Sequence, residues 1–434
     1  MALGGGTFTA QNKVLPGAYI NFVSLAAANS DLSDRGIATM PFELDWGVEN
    51  DVFEVTSADF QKNSLKLFGY SYEHEKMKGL RDLFRNITTL YAYRLNGGGA
   101  KAENDYATAK FSGVRGNDFK IVIQRNIDNN EMFDVKTVLD YTVVDVQTVS
   151  SVAELTANDY IIFKEFEIAE TAGTPLAGGE NGTTDGSAHQ NYLDRIEAYS
   201  FNVMGVVSTE STINALYVNF CKRLRDEVGA KFQTVVYNCP ADYEGVINVK
   251  NKVNDTNYSE ASLVYWVTGI AAGCAVNKSN LNKVYDGEFD IDVNYTQSQL
   301  ENAIKTGEFT LHRVGNDVRV LEDINSLVTV SDNKGEIFKD NQTIRVIDQI
   351  ANDIAVLFNT KYLGVVPNDA AGRISLWSDI VKHHEQLQDI RAIEEFSDED
   401  VTVMQGNSKK SVVVNDAVTV VNAMAKLYMT VTVS

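Results

Sequence analysis

A chain of 434 residues is too long for one ordinary hydrophobic core, so its length predicts two to four domains. Hydrophobic residues make up 44% of it and charged residues 22%, which is close to the globular average and excludes wholesale disorder. The 59 Asp and Glu residues outnumber the 38 Lys and Arg residues, and the net charge of −21 makes DNA, RNA and anionic lipid poor partners.

Cysteine usage and the lack of targeting segments indicate a protein folded in a cytoplasm. Cys221, Cys239 and Cys274 are widely spaced in apolar surroundings with no C-x-x-C motif, so we expect them to be reduced core residues. No signal peptide opens the chain, and no apolar run is long enough to cross a bilayer. We therefore expect no membrane binding by the chain itself.

The amino-terminal region predicts an arm followed by a mixed segment. Residues 17–23, which include Tyr19, Ile20 and Phe22, show a β-prone pattern of period two after a glycine-rich lead. Helices are then predicted over 57–67 and 73–84, and a strand over 88–95 that stops at Asn96-Gly97-Gly98-Gly99.

The sequence pattern changes between residues 97 and 195, where short β-prone segments replace the helical ones. Four short strands are predicted at 119–124, 133–139, 141–149 and 160–166, and Asn, Asp and Gly turns separate them. The segment leaves through a glycine-rich loop at 173–186. This pattern predicts an inserted all-β domain.

The next region carries the clearest α/β signal. A strand at 201–207, a helix from Ser208 to about Val228 and a strand at 233–237 predict a right-handed crossover in a parallel sheet, with Gly229 ending the helix. A further helix at 262–276 and a strand pair at 309–314 and 318–322 complete a domain that packs helices on a sheet.

The carboxyl-terminal region predicts two helices and a small sheet. The helix at 341–358 is amphipathic and places Arg345, Asp348 and Asp353 largely on its polar face, and a second helix follows at 373–391. Strands are predicted at 401–405, 411–414 and 417–421, and these form a small antiparallel sheet with an open edge.

The last eight residues predict a strand that reaches the carboxyl end. Leu427, Met429, Val431 and Val433 alternate with Tyr428 and two threonines. Because an edge strand leaves unpaired backbone groups, it needs shielding or a partner chain, and capture by strand addition is the first hypothesis.

No motif for catalysis, metal binding or cofactor binding emerges. The lysine after the glycine run at 97–99 is followed by Ala102, so the phosphate-loop pattern is incomplete. The five histidines have no metal spacing, and His383 and His384 are expected on a solvated helix face. We expect no catalytic residue, no metal and no cofactor, although a nucleotide site at the Ser208 helix start stays open as an alternative. The absence favours a structural protein.

Six stretches taken in order resemble contractile tail sheath proteins, most of all those of prophage-like particles, R-type bacteriocins and myophages of Gram-positive bacteria. The stretches are 4–8, 15–22, 266–273, 277–280, 285–287 and 344–348. They span nearly the whole chain, and only their joint order is specific to the family.

The resemblance implies a multidomain fold of α/β and α+β type with five parts. An amino-terminal arm covers 1–23, an α/β sheath core covers 24–96 and 196–335, and the inserted β-rich outer domain covers 97–195. A helix-plus-small-sheet domain near the tube covers 336–421, and a carboxyl-terminal arm covers 422–434.

The resemblance also implies a structural function without catalysis. Subunits of this family form stacked six-fold rings, a homo-oligomeric helical tube around a tail tube protein, and contraction drives that tube through a bacterial envelope. Baseplate and tail terminator proteins are further partners. The protein is expected in the bacterial cytoplasm during assembly and then in the virion or tail particle.

Three sets of residues follow from the resemblance. The arm strands of neighbouring subunits use Tyr19, Ile20, Phe22, Leu427, Met429, Val431 and Val433. The acceptor sheet uses Val401, Val403, Val412, Val414, Val418 and Val420. Candidates for the tube-facing surface are Arg345, Asp348 and Asp353. The alternatives are another structural part of a tail, such as its tube or baseplate, and a nucleotide-binding α/β enzyme.

Overall fold

A computed structural model of the chain describes residues 32–433. The predicted amino-terminal strand with Tyr19, Ile20 and Phe22 lies outside the described residues. The rest divides into two compact units. The first takes in the residues up to Ala38, then Asp82–Thr88 and the residues from Ala198 onward, and the second takes in Thr39–Arg81 and Thr89–Glu197.

The helices of the described residues are numbered in chain order: α1 (Ser57–Phe68), α2 (Lys78–Phe84), α3 (Gly186–Ile196), α4 (Ser211–Arg223), α5 (Leu263–Gly273), α6 (Gln297–Lys305), α7 (Asn341–Leu357) and α8 (Ala370–Asp389). A π-helical turn extends α4 over Leu224–Val228, and another extends α7 over Phe358–Tyr362. Among these helices none is long and apolar enough to span a bilayer.

The strands of the same residues are β1 (Ile37–Phe42), β2 (Val52–Thr56), β3 (Thr89–Arg94), β4 (Ala107–Ala109), β5 (Phe119–Arg125), β6 (Phe133–Leu139), β7 (Thr142–Val149), β8 (Ile161–Phe163), β9 (Thr171–Pro175), β10 (Val203–Gly205), β11 (Gln233–Tyr237), β12 (Val246–Val249), β13 (Glu308–Phe309), β14 (Leu311–Val314), β15 (Asp317–Val320), β16 (Ile393–Glu394), β17 (Val401–Gln405), β18 (Val412–Asp416) and β19 (Thr419–Val420).

The first unit is built on parallel strands in the order β10, β11, β12, β13. The predicted strand–helix–strand crossover is confirmed, because α4 joins β10 to the parallel strand β11. Gly229 ends the helical segment with φ +91°, a left-handed conformation that glycine adopts at little cost.

Helix α5 is almost entirely apolar because almost all of its residues are buried. It packs on β10, β11 and β12. At Gly269 and Gly273, four residues apart on its other face, the backbone of Leu83 and Asn86 comes so close that a Cβ atom would collide with it. A helix buried all round needs no polar face, and the two glycines allow the close approach.

The second unit holds the predicted all-β region. Strands β7, β6, β5 and β9 form an antiparallel sheet in that order, and β4 pairs with β8. The core beneath them contains Trp46, Phe119, Ile121 and Val135, all fully buried. Strand β9 lies partly in the predicted exit loop, and α3 follows that loop directly. The predicted mixed α/β multidomain fold with an all-β region is confirmed.

The carboxyl-terminal part of the first unit contains α7, α8 and four short strands. Asp340 caps α7 by accepting hydrogen bonds from the backbone N–H groups of Gln342 and Thr343. The small sheet predicted over 401–421 differs from expectation, because it is divided in two: β17 pairs with β18, while β19 pairs with β16.

Candidate functional site

The hairpin of β17 and β18 is the centre of the predicted acceptor surface. Its register places Val401 opposite Asp416, Val403 opposite Val414, and Gln405 opposite Val412. Val401 is buried in a cluster with Leu376 and Ile380 of α8. Val403 and Val412 pack against the same cluster from its rim, so one face of the hairpin is fixed on α8.

No other strand of the described chain pairs with the hairpin. Each of its two strands pairs only with the other strand among residues 32–433. Trp377 closes one corner by donating a hydrogen bond from Nε1 to the Val401 carbonyl at 2.9 Å. Met404, Val413 and Val414 remain exposed on the hairpin. Unpaired strand edges with apolar neighbours are ready to accept another strand.

Two residues of the predicted acceptor set lie elsewhere. Val420 belongs to β19 and lies opposite Ile393 of β16. Val418 and Val420 both pack against a second cluster, which contains Ile393 and Leu387. The chain leaves the hairpin after Asp416, where Ala417 donates its backbone N–H to the Asp400 carbonyl. The structure therefore brings Val401, Val403, Val412 and Val414 together in one sheet and places Val418 and Val420 outside it.

The carboxyl-terminal arm is anchored at its root to the first turn of α7. Gln342 donates a hydrogen bond to the Val421 carbonyl (3.0 Å) and accepts one from the Ala423 backbone (3.0 Å). Thr343 and Asn422 are joined by side-chain hydrogen bonds of 3.1 and 3.2 Å. Sequence reasoning missed this anchor, because Gln342 and Thr343 resemble any polar first turn of a helix.

Beyond the anchor the arm is apolar and exposed. No hydrogen bond joins residues 424–433 to the rest of the described chain, and they form no strand within it. The apolar side chains of the arm are largely exposed to solvent: Met424 is 99% exposed, Leu427 85%, Met429 73%, Val431 68% and Val433 88%. The predicted terminal strand is thus absent from the isolated chain, and its pairing with another subunit stays a prediction.

The three candidates for the tube-facing surface are not on an exposed face. Arg345 is 1% exposed and donates to Asp323 at 2.6 Å, and Asp348 is 6% exposed. Two hydrogen bonds of 2.6 and 2.8 Å join Asp348 to the guanidinium of Arg225. The expectation of a polar, solvated side for these residues of α7 is wrong, because their charges are neutralised inside the protein by partners far away in sequence.

The ion pairs change the acid–base behaviour of their members. Although burial alone opposes ionisation of Asp323, the Arg345 guanidinium and three hydrogen-bond donors hold the pKa of that carboxyl below its usual value. Likewise, burial alone would lower the pKa of Arg225, but its contacts with Asp348 raise it. Asp323 and Arg225 therefore stay charged at neutral pH, and the two ion pairs hold α7 in place.

Asp353 belongs to a chain of polar contacts that runs from the exposed Ser33 through the two buried histidines of α8 to the hairpin. It accepts hydrogen bonds from Ser33 Oγ (2.5 Å) and Gln349 Nε2 (2.8 Å), and its Oδ2 lies 3.0 Å from His383 Nε2. His384 Nε2 lies 2.9 Å from Asp416 Oδ2 on β18. Both histidines are buried, at 1% and 0% exposure, so the predicted solvated helix face is wrong here too.

Protein-family models match almost all of the described chain. They are the tail sheath protein Gp18 domain III N-terminal region (residues 35–95), the phage tail sheath protein beta-sandwich domain (96–181), the phage tail sheath protein central domain (182–326) and the phage tail sheath C-terminal domain (333–434).

Individual relatives agree with the family models. The chain is 32% identical to the phage-like element PBSX protein XkdK of Bacillus subtilis strain 168 over 100% of each chain. The crystal structure of the sheath tail protein of Desulfitobacterium hafniense superposes with a TM-score of 0.82 at 37% identity, covering 95% of this chain and 99% of that one. For the sheath tail protein of Listeria innocua the TM-score is 0.79 at 31% identity, with 92% and 95% covered.

A more distant likeness concerns the fold alone. The helical sheath of the anti-feeding prophage in its contracted state has a TM-score of 0.59 at 13% identity, covering 97% of this chain and 99% of that one. Tail sheath proteins are structural components and not enzymes. With four family models in chain order and close relatives along its whole length, the chain belongs to the phage tail sheath protein family.

Proposed function

We propose that this chain is the subunit of a contractile tail sheath. Subunits polymerise as stacked six-fold rings around a tail tube, and contraction drives the tube through a bacterial envelope. The observation that carries the proposal is the exposed apolar arm at residues 424–433, next to a hairpin whose edges are unpaired. An arm of this kind is incomplete until a second copy receives it.

Strand addition suits the chemistry of both partners. The arm offers aliphatic side chains at every second position from Leu427 to Val433, so an extended conformation puts all of them on one face. Each aliphatic side chain taken fully out of water contributes about 1.5–3 kcal/mol, and each backbone hydrogen bond adds about 1 kcal/mol net. The hairpin supplies free backbone groups and exposed Met404, Val413 and Val414.

The arm is long enough to leave its own subunit. Its ten residues from Met424 to Val433 can span up to about 35 Å when extended. The anchor at Asn422 and Ala423 fixes where it starts. A tethered strand of this length can stay bound to a neighbour while the bodies of the two subunits rotate, which is the property that a contracting lattice requires.

The remaining parts of the proposal follow the family. We propose that residues 97–195 form the outer domain and that assembly takes place in the bacterial cytoplasm, with the tail tube, baseplate and tail terminator proteins as partners in the finished virion or tail particle. Burial gives Arg345, Asp348 and Asp353 a structural role. The tube contact is better placed on α8, where Ser378 and Glu385 are exposed.

Truncation tests the proposal. A variant lacking residues 427–434 should fold and stay monomeric, because residues 427–433 form no hydrogen bond with the rest of the described chain and are largely exposed. Circular dichroism melting checks the fold, and negative-stain electron microscopy checks the assembly, for which the full chain gives wide hollow cylinders. Long cylinders from the truncated chain contradict the role of the arm, and narrow tubes from the full chain indicate a tube protein instead.

A further inference from the structure

A small, partly open cavity lies in the first unit, where the segment before β1 meets α7. Its volume is about 20 Å³, enough for a guest about the size of one water molecule. Ser33 and Arg35 line it from the segment before β1, and Arg345 and Gln349 line it from α7. Lys231, from the turn that precedes β11, closes another side.

The lining carries an excess of positive charge. It contains three cations, Arg35, Lys231 and Arg345, and one carboxylate, Asp348, which leaves a net charge of +2. The ion-pair partners of Arg345 and Asp348 add one carboxylate and one cation, and Asp353, which accepts hydrogen bonds from the lining residues Ser33 and Gln349, adds a second carboxylate, so the net charge falls to +1. The excess resides on Arg35 and Lys231, which form no ion pair within residues 32–433.

Neither of these two cations is neutralised by what it contacts. Arg35 donates to the backbone carbonyls of Cys274 (2.8 Å) and Ala271 (3.1 Å), and Lys231 Nζ donates to the Arg225 carbonyl (2.6 Å). Burial and the nearby Arg345 guanidinium lower the pKa of Arg35 to about 10. Burial and Arg225 likewise lower the pKa of Lys231. Positive charge is thus held here against its own repulsion.

Arg345 also has donors to spare. Its Nη2 is engaged by Asp323 and the Lys278 carbonyl, but its Nε and Nη1 are buried with no hydrogen-bond partner in the described chain. A buried guanidinium N–H group without an acceptor is costly, so such groups in native proteins have a partner. Here the open donors belong to a side chain that lines a cavity with room for a guest.

We propose that this cavity binds one small monovalent anion of chloride type. The anion accepts hydrogen bonds from the open donors of Arg345 and offsets the uncompensated charge of Arg35 and Lys231. Its binding ties the residues just before β1 to α7. A larger oxyanion does not fit a space of this volume, and the nearby Asp348 is already neutralised by Arg225.

Water is the competing occupant. Gln233 also lines the cavity, and its Oε1 lacks a donor among the described residues, which a water could supply. Water, however, leaves the net charge of +1 in place, whereas a monovalent anion cancels it. Next to the buried Arg345, the free energy gained by compensating a charge exceeds that of one neutral hydrogen bond, so an anion is the more stable occupant.

Anomalous diffraction tests the proposal directly. Crystals of the full chain grown with bromide in place of chloride should show an anomalous peak inside the cavity, within hydrogen-bond distance of Arg345. Electron density of water type without anomalous signal overturns the proposal, and so does an empty cavity.

Solution measurements complete the test. At fixed ionic strength, replacing gluconate by chloride should raise the melting temperature by about 1–3 °C, and the rise should level off as the chloride concentration increases. The response should vanish in Arg35→Gln and persist in the control Arg313→Gln, which alters an exposed arginine of β14. If Arg35→Gln fails to fold, Lys231→Gln takes its place. A bromide peak without a saturable response means binding at crystal concentration only and overturns the proposal.

Discussion

Helix α7 and the carboxyl-terminal arm meet at Thr343 and Asn422. Both depart from the usual rule that charged residues are exposed and apolar residues are buried. On α7, Arg345 and Asp348 are charged and buried. On the arm, Leu427 and Met429 are apolar and exposed. The charged residues of α7 have their ion-pair partners within the subunit, whereas the apolar residues of the arm are left largely in solvent.

The difference separates contacts that the subunit makes within itself from contacts that, under the proposed function, it makes with a neighbour. Every charge on α7 that is removed from water finds its counter-ion or donor within the same unit, as Asp348 does with Arg225. The apolar side chains of residues 424–433 are instead largely exposed, and none of them belongs to the clusters around Ile380 and Leu387. Changes on α7 should thus alter the stability of the subunit, and changes on the arm should alter assembly alone.

The largest expected effect comes from charging the apolar face of the arm. Replacing both Met429 and Val431 by Lys should abolish assembly into cylinders, because each buried face of an added strand would then carry an unpaired ammonium group. The melting temperature of the monomer should stay unchanged, since both side chains are already in solvent. Electron microscopy and calorimetry measure the two outcomes.

The matched control alters the other face of the same segment. Thr430→Lys combined with Thr432→Lys adds the same charge to residues that alternate with the apolar ones, and this variant should still assemble. Equal loss of assembly in both variants would show that charge alone, and not the apolar face, decides the outcome.

The next effect concerns the stability of the subunit. Asp348→Asn leaves the Arg225 guanidinium buried without a counter-ion, so the free energy of unfolding should fall by about 3–5 kcal/mol. Glu336→Gln removes an exposed partner of Lys339 and should cost at most about 1 kcal/mol. Denaturant titration compares them, and equal costs would refute the view that buried charges hold α7.

Asp82 on α2 sharpens the comparison, because it is a buried carboxyl group with only a distant cation, Arg85 Nε at 3.8 Å. Burial raises its pKa to about 6. The folded protein therefore holds this proton more tightly than the unfolded chain, and the group's contribution to stability is present below pH 4 and is lost as the pH rises through 6.

It follows that Asp82→Asn should stabilise the protein at pH 7 by about 2–3 kcal/mol relative to the wild type and have little effect at pH 4. The amide can still accept the hydrogen bond that Glu288 donates to Oδ1 at 2.9 Å. Melting curves measured from pH 4 to 8 check this. A gap between the two proteins that does not vary with pH would contradict the assignment.

The smallest effect is expected at the start of α7. Asp340→Ala removes the cap for the N–H groups of Gln342 and Thr343 and should cost about 1 kcal/mol. Asp340→Asn keeps a capping oxygen and should cost less. Because Gln342 and Thr343 also anchor the arm, Asp340→Ala should weaken assembly slightly, as sedimentation can measure.

Much of the fold could be predicted because the spacing of apolar residues along the sequence follows which side of an element is buried. Helix α4 and strands β5 and β6 alternate between more and less buried residues, and the sequence predicts each of them. Helix α7 is predicted from the period of its apolar residues, although its polar residues are buried as well. Strands β1 and β12 were missed because they are buried on almost every residue and show no alternation.

The candidate site was only partly predictable. Sequence patterns assign charged residues to the surface, and the partner of Asp348 lies 123 residues away in the chain, where no local signal connects them. The arm gave the opposite result. Its alternation predicts a strand, yet the strand is absent from the isolated chain. Under the proposed strand addition, the alternation is that of the conformation the segment takes with a partner.

Hydrogen exchange tests the central claim most directly. The backbone amides of residues 424–433 should exchange freely in the monomer and become at least about tenfold slower in assembled cylinders, together with outer-edge amides of β17 or β18. Arm amides that are already protected in the monomer, or that still exchange freely in the cylinders, would contradict the account.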